Sequence, residues 1–178
     1  MPSDSIKILL TGLPGCGKTT AVMKIVANLR TVRRIRGFYT QEIRENGQRK
    51  GFCWTTLDGD SGILAHIEIK NAPKVGRYGV NVADFEKFVV PILDAQQADV
   101  DLFVVDEIGR MECLSGKFVD AMRRLFASEK SVLAAVAQKG TGLISEAKRF
   151  PCAGLFNLTR QENDRAVGEI LEILRGGS

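Results

Sequence analysis

The segment Gly12-Leu13-Pro14-Gly15-Cys16-Gly17-Lys18-Thr19 places the tightest limit on how this chain folds. Residues 6–11 ahead of it are an apolar run that reads as a buried strand. Residues 18–29 behind it carry Val22, Ile25, Val26 and Leu29 at helical spacing. The segment fits the pattern G-x-x-x-x-G-K-[ST] at every fixed position, in the strand–turn–helix setting that gives the pattern its meaning. Glycines permit positive φ and let bare backbone come up to a phosphate. The N–H groups of such a turn converge at a helix N-terminus and favour an anion. Residues 12–20, Thr20 included, are therefore the candidate nucleotide-binding segment. Lys18 is expected at the β- and γ-phosphates, and the Thr19 hydroxyl at a Mg²⁺ ion.

The rest of the chain reads as α/β. Residues 102–105, 132–136 and 155–158 are uninterrupted apolar runs, as suits strands covered on both faces. Helices are expected over 81–95, where Pro91 should kink or end the pattern, and around Phe118, Val119, Met122, Leu125 and Phe126. A last helix, headed by Thr159 and Glu162 as a capping box, carries Val167, Ile170, Leu171 and Leu174. Residues 35–70 differ. Two β-rich runs flank Glu45-Asn46-Gly47, a hairpin turn signal, and a third alternating run follows Gly59-Asp60-Ser61-Gly62. The expected architecture is one domain over 1–178: a mostly parallel sheet with helices on both faces and an antiparallel insertion at 35–70.

Composition removes several classes. With 178 residues, 44% hydrophobic, and a net charge of +4, the chain has material for a core and does not resemble a disordered one. It has no run of eighteen apolar residues, so no membrane helix is expected. The first residues show neither a signal nor a transit pattern. Cys16, Cys53, Cys113 and Cys152 form no Cys-x-x-Cys pair and read as reduced thiols of a cytoplasmic protein. The single histidine, His66, cannot build a zinc site alone. The pI near 9.0 permits phosphate contact, but nothing in the pattern points to nucleic acid, and a monomer is the simplest reading.

A second site is expected where the run 102–105 ends in Asp106-Glu107. Beside a phosphate loop, an aspartate at such a strand end serves Mg²⁺. The adjacent glutamate is placed to orient and deprotonate a water. Hydrolysis also needs positive charge on the γ-phosphate beyond Lys18. Arg110, just past Glu107, is the nearest candidate in sequence, with Arg77, Arg160 and Arg165 behind it. The catalytic set is thus Glu107, Lys18 and Arg110, and the metal set Thr19 and Asp106. Trp54, Tyr39 and Phe38 read as sheet-packing aromatics, and Arg44, Arg49 and Lys50 as a solvated hairpin face.

Several segments resemble one family, the small nucleoside triphosphatases of thermophilic microbes and the cancer-related nucleoside triphosphatase of animals. They are residues 11–20, Gly37-Phe38-Tyr39-Thr40, Gly76-Arg77-Tyr78-Gly79-Val80, Val105-Asp106-Glu107-Ile108-Gly109-Arg110-Met111-Glu112 and Leu158-Thr159-Arg160, in order across nearly the whole chain. The resemblance implies a RecA-like P-loop core. It also implies slow Mg²⁺-dependent hydrolysis of ATP, GTP, CTP and UTP to diphosphate and phosphate, with loose base preference. The family tends to have Asn-Arg-Asp near the last helix, whereas this chain has Asn163-Asp164-Arg165, so no role passes to Arg165. Two other readings of the motifs stay open: a nucleotide or nucleoside kinase, and a nucleotide-switched binding module.

Overall fold

The computed structural model describes residues 5–151 and 153–176. Cys152 and residues 1–4, on which the reading of one thiol and of the leader pattern fall, lie outside them.

The run ahead of the glycine-rich turn forms β1 (Lys7–Thr11), and the turn leads directly into α1 (Lys18–Leu29). Then come β2 (Ile35–Glu45), β3 (Gln48–Thr56), β4 (Ser61–His66), β5 (Lys74–Val75) and β6 (Tyr78–Val80). The second half supplies α2 (Val82–Phe88), β7 (Leu102–Ile108), α3 (Gly116–Ala127), β8 (Ser131–Val136), α4 (Leu143–Lys148), β9 (Ala153–Asn157) and α5 (Asn163–Gly176). All nine strands lie in one sheet, ordered β5-β6-β4-β3-β2-β7-β8-β1-β9.

Five neighbouring strands, β2, β7, β8, β1 and β9, run parallel. Their side chains alternate between two apolar layers. Ile8 and Leu10 of β1, Leu102 and Val104 of β7, and Leu133 and Ala135 of β8 pack with α1 and α5. Leu9, Phe103, Val105, Val132, Ala134 and Val136 pack on the other face with α2, α3 and α4. Burial on both faces is why these runs read as unbroken apolar segments. Phe38 meets Phe85 and Phe118 edge to face at the centre of the second layer, and those two rings are tilted on each other, with centroids 5.4 to 6.3 Å apart.

The other half of the sheet is antiparallel. β2 belongs to both halves: Ile35 to Tyr39 pair with β7, and Phe38 to Glu45 pair with β3. At the hairpin, Asn46 and Gly47 both have positive φ (49° and 76°), the geometry of the two-residue turn that suits strand twist. Trp54, Leu64, Ala65, Tyr78 and Val80 face the α2 layer, while Gln41, Glu42 and Arg44 are exposed.

Three differences from the sequence reading have physical causes. The helix expected over 81–95 ends at Phe88, and Val90–Leu93 form a 3₁₀ turn, because Pro91 lacks an N–H and its ring excludes the carbonyl one turn back. The antiparallel part extends beyond the expected 35–70: its third run ends at His66, and Tyr78–Val80 add β6 against β4. The six-residue α4 is too short to show a helical period in sequence.

Candidate active site

The loop between β1 and α1 turns on its glycines. Gly12, Gly15 and Gly17 have φ of 154°, 76° and 97°. Space is as restrictive as conformation. A Cβ at Gly12 would stand 2.7 Å from Leu158 O, and one at Gly17 2.6 Å from Asn163 Nδ2. The Cys16 N–H donates to Leu13 O at 3.1 Å and closes the turn. Leu13, Pro14 and Gly15 are exposed, Cys16 and Lys18 buried, and Thr20 exposed at the start of α1. The Lys18 ammonium donates to Gly12 O at 3.1 Å and so lies over the loop it belongs to.

The loop is braced by residues about 145 positions away. Arg160 Nε donates to Gly15 O at 3.1 Å. Asn163 Nδ2 donates to Gly17 O at 3.0 Å and Cys16 O at 3.4 Å. Between loop and brace lies a depression of about 300 Å³, lined by Gly15, Thr20, Lys24, Arg160, Asn163 and Asp164. Lys24 and Asp164 pair at 2.6 Å on its rim. Thr159 and Glu162 make the expected capping contact, the Glu162 N–H donating to Thr159 Oγ1 at 3.3 Å, in the turn that leads into α5.

Asp106 stands opposite, at the carboxyl end of β7. It is 1% exposed, and its Oδ2 has no partner among the described residues. Burial pushes its carboxyl up to about 7; the Thr19 hydroxyl and Lys18 ammonium pull it back and the Glu107 charge adds to the rise. Half-buried Glu107 is raised by burial too, with Lys18 opposing. One ammonium thus acts on both carboxylates, which ties the loop to the acidic strand end. A buried carboxylate oxygen without a partner, beside a threonine hydroxyl, is a donor set that fits a hard cation. Among the described residues no cluster of three acidic, cysteine or histidine side chains could hold a metal alone. The protein oxygens here are too few to fill a hard cation's shell by themselves.

The sequence reading passed over a third acid. Glu112 lies on the 3₁₀ turn Glu112–Leu114 after β7 and is 5% exposed. Burial drives its carboxyl up to about 8, and the charges of Glu107 and Asp106 reinforce the rise. Its own N–H and that of Gly109 oppose it. The available signal is a glutamate set between the apolar neighbours Met111 and Cys113.

The four arginines separate. Arg160 is on the loop. Arg77 donates to Arg49 O at 2.6 Å and lies over the Tyr78 ring. Arg165 pairs with Glu169 at 3.0 Å along α5. Arg110 has no partner among the described residues; it lines a depression of about 380 Å³ with Val75, Cys113, Leu114, Thr141 and Ile144. Phe38 and Trp54 are buried in the sheet core rather than offered to a base, and no described helix is long and apolar enough to cross a membrane.

A parallel sheet flanked by helices, with a glycine-rich anion loop ahead of α1 and an acid at the end of a neighbouring strand, defines a P-loop NTPase fold. Comparison with known proteins narrows the class. A family model described as NTPase matches residues 7–171. Nucleoside-triphosphatase THEP1 of Thermotoga maritima is 39% identical over 96% of this chain and 96% of its own length. The cancer-related nucleoside-triphosphatase homolog of Mus musculus is 30% identical over 94% and 96%. The crystal structure of THEP1 from Aquifex aeolicus superposes with a TM-score of 0.85 at 36% identity, covering 95% of this chain and 99% of that one. The solution structure of a human cancer-related nucleoside triphosphatase gives 0.82 at 30% identity, covering 98% and 100%. The chain belongs to this NTPase family.

Proposed function

We propose that this chain hydrolyses nucleoside triphosphates to diphosphate and phosphate with Mg²⁺, slowly and with little base preference. The observation that carries the reading is the Lys18 ammonium: it lies over the loop and faces both Asp106 and Glu107. The loop backbone from Gly12 to Thr20 cradles the phosphates, and Lys18 leaves Gly12 O for the β- and γ-phosphate oxygens. The depression beside Arg160 and Asn163 takes the sugar and base. Its polar, open lining grips no base on two faces, in keeping with broad specificity across ATP, GTP, CTP and UTP.

Thr19 and Asp106 hold the metal. When bound, Mg²⁺ would neutralise negative charge on the phosphates. Glu107 accepts a proton from the attacking water as the water oxygen bonds to the γ-phosphorus. The bond from that phosphorus to the β–γ bridging oxygen breaks, and the electron pair leaves with the diphosphate. Burial, by raising Glu107, brings its basicity closer to neutral pH and improves it as a general base. Arg110, an unpartnered cation two residues past Ile108, supplies further positive charge to the transferring group.

The test is the fate of a labelled γ-phosphate, with Mg²⁺ and each of the four triphosphates, in the presence and absence of nucleosides and monophosphates. Release as free phosphate, unchanged by acceptors, is the expected outcome. Label moving onto an acceptor would establish a kinase, and label retained on the nucleotide a switched binding module.

A further inference from the structure

The acidic end of the site holds one more carboxyl than hydrolysis by Asp106 and Glu107 requires. Glu112 is as enclosed as a core residue, yet among the described residues no cation pairs with it: the charged groups facing it are Glu107 and Asp106 of β7. Its own turn contributes the N–H groups of Gly109 and Glu112, which hold the carboxyl from behind, and the Cys113 thiol, which burial pushes up to about 12. A buried acid surrounded by acids lowers its energy by keeping its proton and giving that hydrogen to a neighbour.

The backbone is shaped to bring the two glutamates together. The point that a Cβ at Gly109 would occupy is 2.8 Å from Glu112 Oε2 and 3.1 Å from Glu107 Oε1. A methyl group there would press on both carboxyl groups. The turn is fixed by the Cys113 N–H donating to Gly109 O at 3.0 Å and the Ser115 N–H donating to Glu112 O at 3.1 Å. Ser115 in turn caps α3, with Phe118 N–H donating to its Oγ at 3.0 Å, and its hydroxyl donates to Glu86 Oε1 of α2 at 2.8 Å. Glu112 therefore stands on a rigid mount tied to two helices.

We infer that Glu112 is the positioning residue of Glu107: its carboxyl O–H donates a hydrogen bond to the Glu107 carboxylate and fixes the direction in which that base meets the attacking water. Glu112 touches neither nucleotide nor water and acts only through Glu107, so the inference rests on the proposed role of Glu107. A neutral donor suits the task. It orients the base without adding a second negative charge beside an incoming triphosphate, and it leaves the other Glu107 oxygen free to take the proton.

The test compares Glu112→Gln with Glu112→Met in steady-state turnover and in the Kd of a non-hydrolysable triphosphate. Glutamine keeps a donor at the same reach, whereas methionine keeps the volume and removes the donor. Glu112→Gln is expected to lose no more than about threefold in kcat. Glu112→Met is expected to lose about tenfold or more, with Kd unchanged in both, as befits a hydrogen bond to a charged group. Gly109→Ala, which parts the two carboxyls without altering either, should lower kcat in the same way. Parent-like kcat in both the glutamine and the methionine variants would make Glu112 a packing residue and overturn the inference. So would a glutamine variant as impaired as the methionine one, since the role would then need charge. Glu107→Gln, measured alongside, separates this failure from the other: if it turned over like the parent protein, the role of Glu107 itself would fall.

Discussion

At one end of the site the segment 12–19 presents backbone: three glycines in positive φ and one lysine laid across them. At the other end Asp106, Glu107 and Glu112 present side chains whose behaviour comes from the space around them. The loop encodes its chemistry in spacing and in the absence of Cβ atoms, and it works wherever a strand and a helix hold it. The acidic end encodes its chemistry in burial, which depends on α2, α3 and the turn after β7. The loop is therefore expected to govern affinity, and the acids turnover.

Four substitutions and one titration probe this division. The largest effect is expected from Glu107→Gln, which should lower kcat by about 100-fold or more while the Kd for triphosphate moves little. A matching loss of affinity would erase the distinction between the two ends.

The next concerns pH. Folded Glu112 keeps its proton up to about pH 8, whereas the unfolded chain releases it near the ordinary glutamate value of 4.5. Between those values the folded state binds more protons, so stability should fall as pH rises from about 5 to about 8, by roughly 3 kcal/mol, and level off above. Urea melts of the parent and of Glu112→Gln at pH 5, 7 and 9 check this. The glutamine variant should lose much less, and parallel losses would show that the acid is not held protonated.

Lys18→Ala should weaken triphosphate binding by about 10- to 100-fold in titration calorimetry, the worth of charge-assisted bonds to phosphate. Asn163→Ala removes only a brace and should raise KM by about fivefold with kcat unchanged, roughly one hydrogen bond. A drop in kcat instead would mean that the brace reaches the acidic end. Gly47→Ala, at the hairpin turn far along β2, should cost about 1 kcal/mol of stability and leave kcat/KM untouched.

The same division decided what could be read in advance. The loop was legible because glycine spacing is a local property, and so were Asp106 and Glu107, because the apolar run before them ends abruptly in charge. The five parallel strands showed themselves as unbroken apolar runs, and the hairpin through Asn46-Gly47. Glu112 was not legible. A glutamate three residues past a glycine reads as surface until α2 and α3 close over it. Nor was the brace: the sequence offers Arg160 as a candidate cation for the γ-phosphate, and only the contact with Gly15 O across 145 residues reveals what it holds. The two-residue β5, three-residue β6 and six-residue α4 are too short for any period to emerge.

The position of β1 in the sheet bears on the order of assembly. Lys7 pairs with Val132 on one side and Ala153 on the other, so the strand that carries the loop is made first and finds its neighbours last. During synthesis the glycine-rich segment leaves the ribosome before either neighbour of its strand. It becomes a rigid cradle only after β8, β9 and the Arg160–Asn163 brace have emerged. Contacts of such long sequence separation form slowly. Competence to grip a triphosphate should thus appear late and abruptly, once about nine-tenths of the chain is in place, and a product truncated before Asn163 should be stripped of it.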